Sequence, residues 1–204
     1  MGVTTPAAGR PAPWWNLANQ LTFSRFGMAA LLCVLISYRQ WLACLLLFIL
    51  AAVTDWLDGY LARKWKMGTA LGRSLDPLAD KVLNCAAFIF LLPLGEKEGW
   101  LASWMVTAIV LRELIITGLR SFMETSGAKF GADWFGKLKT VLQFAALVAI
   151  FSVLMLRTEP PGSSLDGADW ALLGLMVAVV AATVLSGLQY LWRAVALLRT
   201  PPGN

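Results

Sequence analysis

The chain of 204 residues is 58% hydrophobic and only 14% charged, with a mean hydropathy of +0.67. That is too apolar for a soluble domain of this length, so the composition indicates an integral membrane protein. It contains no histidine, which excludes imidazole general-base catalysis, serine–histidine–aspartate chemistry and histidine-bound zinc, and leaves proton transfer to carboxylate, lysine, tyrosine or cysteine. The net charge of +5 sits at the ends of apolar runs, a membrane-flank pattern that argues against nucleic acid as a partner.

Residues 1–20 read as a Pro- and Ala-rich tail leading into PWWNLANQLTFSR, where Trp14, Trp15 and Leu17 alternate with polar residues. An N-terminal interfacial amphipathic helix along the headgroups is expected there, and not a cleavable signal. Six transmembrane spans follow at the length of ~20 residues that a bilayer core demands: 21–37, 41–63, 72–94, 101–123, 134–156 and 169–195. They make residues 21–195 one all-α membrane domain, with a disordered tail over 196–204. The first span carries Arg25, and the fourth carries Arg112, Glu113 and Arg120. Cys33, Cys44 and Cys85 lie inside apolar runs without metal-ligand spacing and read as packing residues. With both termini in the cytoplasm, Arg39, Lys97 and Arg157 alone of the 17 Lys and Arg fall outside. The positive-inside rule therefore gives a multi-pass protein of the cell (inner) membrane, with the ends of spans two and three on the cytoplasmic side.

Between spans two and three lies TDWLDGYLARKWKMGTALGRSLDPLAD, with Asp55, Asp58, Asp76 and Asp80. A carboxylate near the hydrocarbon costs ~2.5–3.5 kcal/mol, so each requires a partner or a task. Asp55 and Asp58 are i, i+3 and Asp76 and Asp80 are i, i+4, so each pair shares a helix face. Two such faces make a four-carboxylate cage of hard oxygen ligands suited to Mg²⁺ or Mn²⁺, and two such ions clamp a diphosphate. Gly59 lies one turn after Asp55 and Gly72 one turn before Asp76, leaving a slot free of side chains that Ala62 extends. Arg63 is placed to reach a phosphate at the interface.

The pattern Asp55-x-x-Asp58-Gly59-x-x-Ala62-Arg63, eight residues, Gly72-x-x-x-Asp76-x-x-x-Asp80 resembles the signature of the CDP-alcohol phosphotransferases at every defined position. The resemblance implies six membrane helices, a homodimer and a cytoplasmic polar cavity. It implies metal ligation by Asp55, Asp58, Asp76 and Asp80, with Asp80 also the general base. A CDP-linked lipid, CDP-diacylglycerol, would then meet Asp55, Gly59, Ala62, Arg63, Thr69 and Gly72, with Asn19 and Thr22 approaching from the first helix. Two further stretches, Arg112-Glu113-x6-Arg120 and Gly136-Lys137-x-Lys139-Thr140-x-x-Gln143, together with Asn16-Leu17-x-Asn19-x-Leu21-Thr22-x-x-Arg25, resemble the phosphatidylglycerophosphate synthase branch. Arg112, Arg120, Lys137 and Lys139 near an acidic cage suit a phosphorylated acceptor, glycerol 3-phosphate.

Plainer readings stand beside these. The aspartates can cap helices at a membrane surface, Arg112 can pair structurally with Glu113 while Arg120 snorkels, and Lys137 and Lys139 can be ordinary cytoplasmic flanks. Within the family the acceptor can instead be phosphatidylglycerol, as in a cardiolipin synthase, or inositol phosphate. Outside it, the acidic site can serve a divalent-cation transporter, although that leaves Gly59, Arg63 and Gly72 without a role.

Overall fold

The computed structural model describes the backbone of residues 17–65, 70–125, 134–157 and 167–199, and the side chains of 23–54, 81–123, 134, 136–157 and 167–196. Among these residues there are six helices and no strand: α1 (Leu17–Ser37), α2 (Trp41–Trp65), α3 (Ala70–Glu98), α4 (Ser103–Thr125), α5 (Trp134–Leu156) and α6 (Gly167–Arg199). The expected interfacial segment lies outside the described residues except for Leu17–Gln20, which are continuous with α1. At the other terminus the helix persists to Arg199, through residues 196–199 of the expected tail. No breaker occurs in that stretch until Pro201. α3 likewise outlasts its apolar run, because Glu96, Lys97 and Glu98 remain helical after hydropathy has fallen.

The joints show why the helices stop. After α1, the Gln40 N–H donates to the Leu35 carbonyl at 3.0 Å and the Arg39 N–H donates to the Ile36 carbonyl at 2.9 Å. This is a Schellman closure, with Arg39 in the left-handed region at φ 54°. After α3, Gly99 takes φ 84°, and Glu96 accepts from the Ser103 N–H at 3.0 Å and from its hydroxyl, capping α4.

Backbone proximity gives the order of the helices. α1 packs on α3 and α2, α5 on α2 and α6, and α4 on α3 and α6. The core holds Leu32 and Ile36 of α1, Phe48 of α2, Phe88 and Leu91 of α3, Ile109 of α4, Leu147 and Phe151 of α5, and Met176 and Val179 of α6. Phe48 stacks on Phe144 at 5.2 Å between centroids and meets Phe151 edge-on at 5.9 Å.

Among the described residues many large apolar side chains face outward. Leu42, Leu46, Ile49, Leu50 and Val53 of α2 and Val177, Val184, Leu185 and Leu188 of α6 are exposed. Helices that are hydrophobic all round belong in lipid. Gly136–Leu156 and Gly167–Ala196 are each long and apolar enough to cross a bilayer. The fold is that of a membrane protein.

Gly95 carries the turn between α3 and α4. A Cβ there would lie 2.4 Å from Leu101 Cβ and 3.0 Å from the Trp100 ring, and both neighbours are buried. The helix-propensity gain of Gly95→Ala, up to ~1 kcal/mol, is opposed by overpacking worth ~1–3 kcal/mol. Gly95→Ala is expected to lower stability by about 1–2 kcal/mol, read as an earlier melting transition in detergent micelles.

Candidate active site

Polar contacts gather one half of each of α3 to α6 at one end of the bundle. The α3, α4 and α5 halves meet at Glu113 of α4, which is 3% exposed. Glu113 Oε1 accepts from Arg112 Nη1 at 3.3 Å and from the Lys139 ammonium of α5. Lys81 of α3 stands 3.6 Å from Glu113 Oε2 and donates to the Thr117 hydroxyl. Thr117 in turn donates to the Glu113 carbonyl at 2.6 Å. Three cations from three helices therefore surround one carboxylate.

The sixth helix joins through Arg112. Its Nη2 donates to Ser186 Oγ at 3.0 Å, and Ser186 donates to the Thr183 carbonyl at 3.0 Å. Gly187 makes this approach possible, since a Cβ there would lie 3.2 Å from Arg112 Cγ. A cavity of about 260 Å³ opens beside the cluster, lined by Lys81, Asn84, Cys85, Ile109, Glu113, Lys139, Thr140 and Gln143. A second cavity of about 370 Å³, lined by Arg25, Met28, Phe48, Ala51, Ala52, Leu83, Val141 and Phe144, shares Asn84 and Thr140 with it. It places the start of α1 and the latter half of α2 at the same end.

The opposite end is closed by a separate network. Glu98 Oε2 accepts from Trp100 Nε1 at 2.7 Å and from Arg157 Nη1 at 2.6 Å, and Arg157 also pairs with Asp169 in the first turn of α6. Successive helices thus run in alternating directions between two polar ends.

Of the expected site residues, Asp55, Asp58, Gly59, Ala62 and Arg63 belong to α2, and Gly72, Asp76 and Asp80 to α3. Their side chains, with those of Asn19 and Thr22 of α1, lie outside the described residues, as does Thr69 altogether. The donor set is two helix-borne carboxylate pairs, a chemistry that fits Mg²⁺ or Mn²⁺.

The four expected acceptor cations divide. Arg120 and Lys137 are exposed. Lys139 is 4% exposed and committed to Glu113. Arg112 makes the structural pair with Glu113 that its adjacency allowed. Lys81 and Ser186 are additions that sequence reasoning did not single out, and Gln143, a defined position of the motif on α5, carried no assigned role there. Lys81 carried a signal, being a cation about ten residues inside an apolar span, and such a charge requires a partner.

An all-helical membrane protein with an ion cluster and a cavity beside two aspartate-bearing helices is the class that fold and site define. Residues 15–185 match the CDP-alcohol phosphatidyltransferase family. A CDP-diacylglycerol–glycerol-3-phosphate 3-phosphatidyltransferase of Bacillus subtilis (strain 168) is 35% identical over 201 residues, which cover 91% of this chain and 98% of that protein. Proteins of the same name from Sodalis glossinidius and Haemophilus influenzae are 42% identical over 111 residues and 45% identical over 106. Those matches span about half of this chain, 53% and 50%, and 60% and 55% of the relatives. The chain belongs to the CDP-alcohol phosphatidyltransferase family.

Glu113→Ala strips the counter-charge from buried Lys139 and leaves three cations facing one another. Breaking such a buried pair costs about 3–5 kcal/mol, whereas exposed Lys137→Ala is expected to stay within about 0.5 kcal/mol. Thermal unfolding of the two purified variants beside wild type reads the contrast.

Proposed function

We propose that this chain transfers a phosphatidyl group from CDP-diacylglycerol to sn-glycerol 3-phosphate, forming phosphatidylglycerophosphate and releasing CMP. The observation that carries the reading is the near end-to-end match to the Bacillus subtilis protein whose name states that reaction. The matched segment, residues 15–185, contains every residue assigned below.

A hydroxyl of the acceptor attacks the lipid-side phosphorus of the diphosphate. Asp80 accepts the hydroxyl proton, and the bond from that phosphorus to the CMP oxygen breaks. Asp55, Asp58, Asp76 and Asp80 are the carboxylates that would hold Mg²⁺ or Mn²⁺, two ions in the fullest arrangement, supplying charge neutralisation for the diphosphate. Gly59, Ala62 and Gly72 keep side chains out of the donor's path. Arg63, Thr69, Asn19 and Thr22 contact the CDP group. Arg120 and Lys137, exposed at the cluster end of the bundle, receive the acceptor phosphate, while Arg112 and Lys139 stay paired with Glu113 and add positive charge behind them.

A multi-pass arrangement with this end facing the cytoplasm belongs to the same proposal. Its support is the excess of Lys and Arg at that end and the water solubility of the acceptor. Assembly as a homodimer is supported by the family resemblance. A transporter reading finds no support in a cluster that closes on itself through Glu113.

Purified protein given CDP-diacylglycerol, labelled glycerol 3-phosphate and Mg²⁺ or Mn²⁺ is expected to yield labelled phosphatidylglycerophosphate and CMP. Turnover of a different alcohol in its place would refute the acceptor. Chelation with EDTA should stop turnover, and re-addition of either ion should restore it. Continued activity in EDTA would refute metal dependence. Asp80→Asn is expected to lower kcat by about 10²–10⁴-fold, the usual contribution of a general base, while sparing CDP-lipid binding. Near wild-type turnover in that variant would remove Asp80 from the role.

A further inference from the structure

The cavity between α3, α4 and α5 presents a buried donor and a buried acceptor without hydrogen-bond partners among the described residues. Gln143, 2% exposed, leaves its Nε2 unpaired. Glu113 uses Oε1 for Arg112 and Lys139, whereas Oε2 makes no hydrogen bond. Lys81 Nζ, at 3.6 Å from Oε2, is beyond hydrogen-bonding length. Both side chains line the same cavity of about 260 Å³. Gln143 Nε2 is thus unpartnered and Glu113 Oε2 has only the ion pair with Lys81, and two such atoms on one cavity wall mark a place where a ligand can supply the missing hydrogen bonds.

The chemistry of the missing group is constrained from both sides. Gln143 Nε2 requires an acceptor and the Glu113 carboxylate requires a donor. A phosphate oxygen would satisfy the first and be repelled by Glu113. An ammonium would satisfy the second and be repelled by Lys81 and Lys139. A hydroxyl is neutral and does both. The cavity greatly exceeds the ~30 Å³ share of one water, so it admits a small polyol chain. Asn84, on its wall, follows Asp80 by four residues in α3, so the cavity begins about one helical turn from the proposed base.

Resting on the transferase reading above, we infer that Gln143 and Glu113 recognise the non-reacting secondary hydroxyl of glycerol 3-phosphate. Gln143 is then a specificity-determining residue of the acceptor site. Glu113 both gathers the cations and reads the hydroxyl between them.

The test compares glycerol 3-phosphate with 3-hydroxypropyl phosphate, which keeps the reacting hydroxyl and the phosphate but lacks the secondary hydroxyl. The full-length protein in micelles with CDP-diacylglycerol is expected to favour glycerol 3-phosphate by about tenfold or more in kcat/KM. In Gln143→Met, of similar length but without the amide, that ratio is expected to fall to within about threefold of unity, by loss of activity on glycerol 3-phosphate. The ratio is taken within one preparation, so a reduced folded fraction cancels. Should the methionine variant not fold, Gln143→Asn, which draws the amide back by one methylene, is expected to lower the same ratio.

An unchanged ratio in the variant, or a wild-type protein that does not distinguish the two phosphates, overturns the inference and leaves both atoms to ordered water. Failure of the transferase reading looks different: wild-type protein turns over neither phosphate, and both conclusions fall together.

Discussion

A single carboxylate, Glu113, surrounded by Lys81, Arg112 and Lys139, is the contact on which the arrangement of this bundle most depends. In water, apolar faces would suffice to assemble six helices. For helices that lie in a bilayer the surrounding chains are as apolar as Leu or Phe, so hydrophobicity inserts such helices without choosing their register. A buried charge in that setting has few acceptable neighbours, and α3, α4 and α5 must be positioned so that Glu113 finds them. The Arg112–Ser186 bond extends the constraint to α6. The Glu98–Arg157–Asp169 network repeats the device at the opposite end, with the packed core around Phe88, Ile109 and Phe151 between the two.

The two polar ends differ in the sign of their surplus. At the far end two carboxylates, Glu98 and Asp169, meet Arg157, and the indole N–H of Trp100 completes the coordination of Glu98. At the near end one carboxylate meets three cations, so the named groups carry excess positive charge in a place where charge is poorly screened. On the proposed reading, that excess favours the anionic acceptor. It lies next to α2 and α3, whose four aspartates carry the opposite sign. On the proposed reading, a diphosphate held through metal at the aspartates and an anionic acceptor would be drawn to adjacent regions of opposite charge without exchanging places.

Much of the fold was legible because apolar helices announce themselves by hydropathy. Span boundaries fell within a few residues of the observed helix ends, and α5 coincided at 134–156. The errors came where apolarity and helicity part, at Glu96–Glu98 and beyond Val195, since a helix does not end where its hydrophobic stretch ends. The Arg112–Glu113 pairing was readable from adjacency. The burial of Lys139 was not, because spacing places a residue on a face and cannot tell which neighbour that face will meet. Lys81 escaped for the same reason, and Gln143 was legible only as a motif position without a role. Their roles exist only through Glu113, on another helix, and through the space left between three helices. For the aspartates the position is reversed. Their spacing carries the argument, while the described side chains begin one residue later, at Lys81.

The two cavities bring these lines together. A reaction that joins a membrane lipid to a water-soluble polyol needs compartments of unlike polarity with a common wall. The larger cavity is walled mostly by Met28, Phe48, Leu83, Val141 and Phe144, and the smaller by charged and amide side chains. Asn84 and Thr140 belong to both. On the proposed reading, a common wall four residues past Asp80 would bring the unlike partners together without requiring either to enter the other's compartment. Glu113 maintains the polar side of that wall, because without it the repulsion among Lys81, Arg112 and Lys139 would push α3, α4 and α5 apart. On the proposed reading, the interaction that sets the register of the helices also keeps the acceptor's compartment in being.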